Sequence, residues 1–194
     1  AGSFSGGGGG TVVLCEAKRN GAITKIELLD LAFNLQLGLV KRSDLASITN
    51  VEKILEKVSA EVAASSSYEG DYLARRSLWL LKSASFLPKL QDVPFDVNPA
   101  LVATIRAAGF CKKTESFSIR LVAYQDFAAR RVVLDSTIWN HPSFDAFDKA
   151  ALLFHEAWYA YLYDAATIGG PERPEYLEPA GIYSKVSAQF LARP

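Results

Sequence analysis

The chain has little of what identifiable active sites are usually built from. Its 194 residues include two histidines and two cysteines. The histidines are His141 and His155, the cysteines Cys15 and Cys111. Neither pair has the HxxxH or CxxC spacing of a zinc site, which excludes a zinc-finger pattern. Ser65, Ser66 and Ser67 form a serine run, but no GxSxG elbow is present, and a Ser-His-Asp triad gains no support. The GGGGG run lacks the Lys-Ser/Thr ending and helix context of a phosphate loop. Lys plus Arg is 21 and Asp plus Glu is 21, so there is no basic excess for nucleic acid. The pairs Arg75-Arg76, Lys112-Lys113 and Arg130-Arg131 read as solvated faces. No apolar run reaches the ~18–20 residues that span a bilayer, so no transmembrane segment is expected. Nothing implies a cofactor or a metal.

What is present is ordinary globular composition, 49% hydrophobic and 22% charged. The length suits one domain with a sizeable core. We expect residues 1–10, AGSFSGGGGG, to be a flexible leader and residues 11–194 the domain. A start on small residues is what signal-peptidase cleavage leaves, so the expectation is an exported chain whose signal peptide is gone. The remnant of an expression tag would look the same. In an oxidising compartment Cys15 and Cys111 can form one disulfide worth a few kcal/mol; otherwise they are two buried thiols.

Along the chain, TVVLCEAK and AITKIELLDL flank Asn20-Gly21, a strong hairpin signal, and a helix follows to about residue 38. Val51, Ile54, Leu55, Val58 and Val62 form a helical stripe capped by Asn50. Residues 68–87 read as a largely buried helix, ended by Pro88. QDVPFDVNP reads as a loop. PALVATIRAAGF reads as a short helix between Pro99 and Gly109. SFSIRLVAYQ and ARRVVLDSTIW predict a second hairpin, linked by DFAA. NHPSFD is a turn, and Asp145 or Ser143 caps a helix running to about Ala166, stopped by IGGPERP. A last helix is expected over about 181–191. The class is α+β: a mainly helical single domain with one or two small antiparallel hairpins.

One stretch carries the chemistry. Residues 151–163 read ALLFHEAWYAYLY. On a helix, Leu152, His155, Glu156, Tyr159 and Tyr163 share a face, while Leu153, Phe154, Ala157, Trp158 and Leu162 make the rest apolar. Three readings stay open. A zinc peptidase would write HExxH, but Tyr159 stands where the second histidine belongs, phenol is a poor ligand, and only His141 remains as a replacement. A glycosidase would use Glu156 as general acid/base, its pKa raised among aromatic side chains, with His155 and Tyr159 orienting it or the substrate. That needs a second carboxylate, and Asp126, Asp135, Asp145, Asp148 and Asp164 are undistinguished candidates. The third reading is a buried polar pair, bonded to backbone or to Arg120, Arg130 or Arg131.

The segments GGGGGTVVLC, ITKIELLDL, VVLDSTIW and DKAALLFHEAWY together give the chain a wider likeness. It resembles a group of exported proteins of predatory Gram-negative bacteria with a Gly-rich start before a cysteine, an ELLD segment and an HExxY helix. The resemblance covers most of the chain and implies an envelope or secreted role. Enzymes that cut peptidoglycan recur among such proteins, including lysozymes tuned to modified walls. It therefore implies an envelope-acting hydrolase with cell-wall glycan as its partner. No catalytic residue is carried over from it.

Overall fold

A computed structural model describes residues 10–36, 38, 40–64, 68–90, 97–126, 130–169 and 189–192, with main chain alone at 63, 68, 69 and 165–169. The chain opens with β1 (Thr11–Ala17) and β2 (Ile23–Leu28), an antiparallel hairpin turned at Asn20-Gly21, where Gly21 has φ 68°. The helix α1 (Leu29–Gln36) follows directly, as the sequence suggests. A short strand β3 (Lys41–Arg42) and one 3-10 turn lead to α2 (Val51–Ala63). Asn50 caps α2, its side-chain oxygen accepting from Lys53 N at 3.0 Å. Ile54, Leu55, Val58 and Val62 are buried, so the expected stripe faces the core.

The next segment departs from expectation. The helix α3 (Tyr68–Ser83) stops four residues short of Leu87. Ser85–Leu87 instead form β4. Trp79 is 42% exposed although a largely buried helix is predicted here. After α4 (Pro99–Ala107), capped by Asn98, come β5 (Glu115–Leu121), β6 (Ala123–Asp126) and β7 (Arg131–Asp135). The single strand expected over SFSIRLVAYQ is thus two. β5 pairs with β1 in a sheet ordered β2-β1-β5, and β6 pairs with β7 in a sheet ordered β4-β7-β6. Val122 is the junction: its N–H donates to Gly10 O at 2.6 Å, and its carbonyl accepts from Asp135 N at 2.8 Å. Periodicity within the run cannot reveal a change of sheet, because both halves remain extended.

β4 joins β7 in parallel, pairing Phe86 with Leu134, so the sheets are not all hairpins. STIW is not strand either. Asp135 ends β7 and caps the turn α5 (Ser136–Trp139), accepting from Ile138 N at 3.0 Å. The long helix α6 (Ala146–Gly169) is capped by Asp145, which accepts from Asp148 N at 2.9 Å. Last comes β8 (Leu191–Ala192), paired with β3. The fold is α+β. The expectations for residues 1–9, for most of the QDVPFDVNP and DFAA loops, for the IGGPERP stop beyond Gly169 and for a helix over 181–188 fall outside the described residues.

β1 lies between β2 and β5 and is buried on both faces, which explains its unbroken VVLC run. Val12 and Leu14 face the main core with Ile54, Leu55, Leu134, Phe147, Leu152 and Leu153. Val13 and Cys15 face a second core with Leu29, Ile105 and Phe110. Each such buried aliphatic side chain contributes about 1.5–3 kcal/mol. Cys15 and Cys111 form a disulfide at this second core, 96 residues apart in sequence. Closing a loop of that size stabilises by about 4–5 kcal/mol in the chain-entropy model. Among the described residues no helix is long and apolar enough to cross a membrane.

Candidate functional site

The middle of α6 places the three expected residues together. Glu156 points inward and is 5% exposed. Its partner is Gln125 of β6, whose Nε2 donates to Glu156 Oε2 at 3.0 Å and also to the Glu156 carbonyl. The other carboxylate oxygen lies beneath Gly10. A Cβ at residue 10 would stand 3.1 Å from Glu156 Oε1 and 2.1 Å from the carbonyl oxygen of Ala123, so only glycine fits. Gly10 is therefore part of the packed fold and not of a loose leader. Burial pushes the Glu156 carboxyl up to about 7, and the Gln125 hydrogen bond only partly opposes this.

His155, the residue before it, faces α1. Its side chain is 12% exposed, with Nδ1 3.5 Å from Asp30 Oδ2. Burial lowers its pKa to about 4, so at neutral pH the imidazole is uncharged and the contact is not an ion pair. Asp30 is itself raised by burial. The ring of Tyr159 stacks obliquely on His155, 4.7 Å between centroids. Burial, then Asp30 and Glu156, raise the Tyr159 phenol above its usual range, which keeps it neutral. Tyr163, further along the same face, is 42% exposed.

The five aspartates considered as a second carboxylate all have other work. Asp135 caps α5 and accepts from Leu90 N. Asp145 caps α6 and Asp148 lies in its first turn, both bound to Arg42. Asp126 lies 3.6 Å from Arg131, and Asp164 accepts the Tyr72 hydroxyl at 2.7 Å. Arg120 pairs with Glu16, so of the arginines expected near Glu156 neither Arg120 nor Arg131 is its partner. Gln125 is, and the sequence carried a faint signal for it. Ala123 and Gln125 alternate with Tyr124 and Asp126 along β6, which puts an amide on the buried face.

Among the described residues a metal reading finds no ligand set at this helix. Among the described residues, only Cys15, Cys111 and Glu115 place three ligand atoms within 4.8 Å of one another. Both sulfurs there are in the disulfide and offer no thiolate. His141 stands in the loop before α6, where Nδ1 accepts from Ser143 N at 3.1 Å.

A second polar cluster, unforeseen in the sequence, occupies the start of α6. Arg42 of β3 donates to Asp145 at 2.6 Å, to Glu27 of β2 at 2.7 Å and to Asp148 at 2.9 Å. It also lies over the Phe147 ring, 4.7 Å from the centroid. Asp148 is fully buried, and burial together with the neighbouring Glu27 carboxylate pushes its pKa well up. Burial acts upward on Asp145 too, but the Asp148 N–H and Arg42 outweigh it and hold Asp145 low. No family model, curated protein or solved structure matches the chain.

Proposed function

We propose that the chain is an extracytoplasmic binding protein in which His155 and Glu156 brace the core and take no part in catalysis. One observation carries this reading. Glu156 is sealed, with one oxygen on Gln125 and the other under Gly10, and 5% of the residue meets solvent. A general acid must come within hydrogen-bond reach of the group it protonates. The disulfide supports an oxidising compartment and hence export. The surface feature suited to a ligand is a groove on α3 whose lining does not include this pair.

The runner-up is an envelope-acting hydrolase, a lysozyme-like glycosidase with Glu156 as general acid/base. It draws on the Glu156 carboxyl standing at about 7, where a general acid needs it. It requires the Gly10–Ala123 roof to open. One experiment separates the two: clearing of native and deacetylated peptidoglycan by wild type and Glu156→Gln, with thermal unfolding of both. The brace reading expects no clearing by either protein and a changed stability in the variant. Clearing by wild type that Glu156→Gln abolishes would overturn it in favour of the hydrolase.

A further inference from the structure

α3 presents Tyr72, Arg75, Arg76 and Trp79 at i, i+3, i+4 and i+7, one continuous face. With Arg130, which directly precedes β7, these residues line a groove of about 570 Å3. That volume is in the range of small-molecule sites. Among the described residues its charged lining is three guanidinium groups without a carboxylate. Asp71 pairs with Arg75, and Asp164 accepts the Tyr72 hydroxyl. Arg76 and Arg130 form no ion pair among the described residues. Arg76 lies over the Trp79 ring at 4.5 Å, and its Nε is buried without a hydrogen-bond partner among the described residues. A buried guanidinium N–H without an acceptor is costly unless something supplies one. Arg130 holds φ 52°, a backbone that arginine rarely adopts.

We propose that this groove binds a phosphate group, free or carried on a small organic molecule. The proposal deepens the binding reading above by naming a ligand class. A guanidinium fork matches phosphate oxygens two at a time, and Arg75, Arg76 and Arg130 all line the groove. A phosphate ester carries between one and two charges near neutral pH, which suits two arginines without an ion pair among the described residues. The exposed Trp79 at the rim offers apolar surface to an attached sugar or base.

The test follows the Trp79 indole N–H resonance of the full chain at fixed ionic strength. The titrants are inorganic phosphate, a hexose phosphate and the unphosphorylated hexose. Saturable shifts with a phosphate-bearing titrant and none with the plain hexose are expected. Tighter binding of the ester points to an organic phosphate, and equal or tighter binding of inorganic phosphate points to the free ion. Arg76→Gln and Arg130→Gly should each weaken binding at least ten-fold; glycine suits the backbone at 130, so that variant keeps the fold. Absence of a saturable shift, or binding unchanged in both variants, overturns the proposal. Neither result bears on Glu156, whose role is read from peptidoglycan clearing.

Discussion

α6 buries two carboxyl groups eight residues apart and handles them differently. At its first turn Asp148 is fully buried but meets a cation, Arg42, shared with Glu27 and Asp145. In the middle of the helix the Glu156 carboxylate accepts from an amide, Gln125, and burial raises it to about 7. Its neighbour His155 is likewise neutralised by burial. Burial raises both acids. The first turn sets a guanidinium against that rise, and the middle of the helix an amide. Two acids on one helix can therefore look alike in sequence and be held by different partners.

The sharpest break of the comparison is Arg42→Ala. It leaves Glu27 and Asp148 buried beside each other without a cation, which costs about 3–5 kcal/mol. Chemical denaturation at neutral pH should find that loss, and lowering the pH should recover part of it as the carboxylates take up protons. A loss below about 1 kcal/mol would mean that the cluster is held by protons and not by Arg42.

His155 gives the next largest effect, and it is pH-dependent. Its folded pKa of about 4 lies below the ordinary 6.5, so the unfolded chain binds the proton first as pH falls. Stability from this group is full above 6.5 and is lost between 6.5 and 4, by about 3 kcal/mol in all. Glu156 has the opposite sign. The folded state keeps its proton up to about 7 while the unfolded chain releases it near 4.5, so stability falls as pH rises through that window. Between 4.5 and 6.5 the two slopes cancel. Unfolding of His155→Gln across that range should therefore show a falling slope that wild type conceals. A smaller change is expected of Gln125→Ala, about 1–3 kcal/mol, since it strips the carboxyl of its donor. In that variant the Glu156 midpoint, followed by carbon NMR, should move above the wild-type value.

Much of the frame was legible because it rests on local rules. Asn50 caps its helix, Pro99 opens the next short one, and Asn20-Gly21 turns the first hairpin. The change of sheet at Val122 was not, because the run stays extended through it. The candidate residues on α6 were legible as a face because spacing fixes them. Their partners were not. Arg42 lies 103 residues before Asp145, and Gln125 lies 31 before Glu156. Such pairings arise from packing, which no periodicity encodes. The same holds for the α3 groove, where a basic pair taken for a solvated face becomes a lining once Arg130 is folded beside it.

The claim that burial raises the Glu156 carboxyl to about 7 is tested most directly by the difference in unfolding free energy between Glu156→Gln and wild type from pH 4 to 8. Gln carries no titrating proton and keeps an acceptor for Gln125. The difference should turn in favour of the variant by about 3 kcal/mol between pH 4.5 and 7 and level off above that. A difference that stays flat across the whole range would contradict the account, because Glu156 would then titrate alike in the folded and unfolded chain.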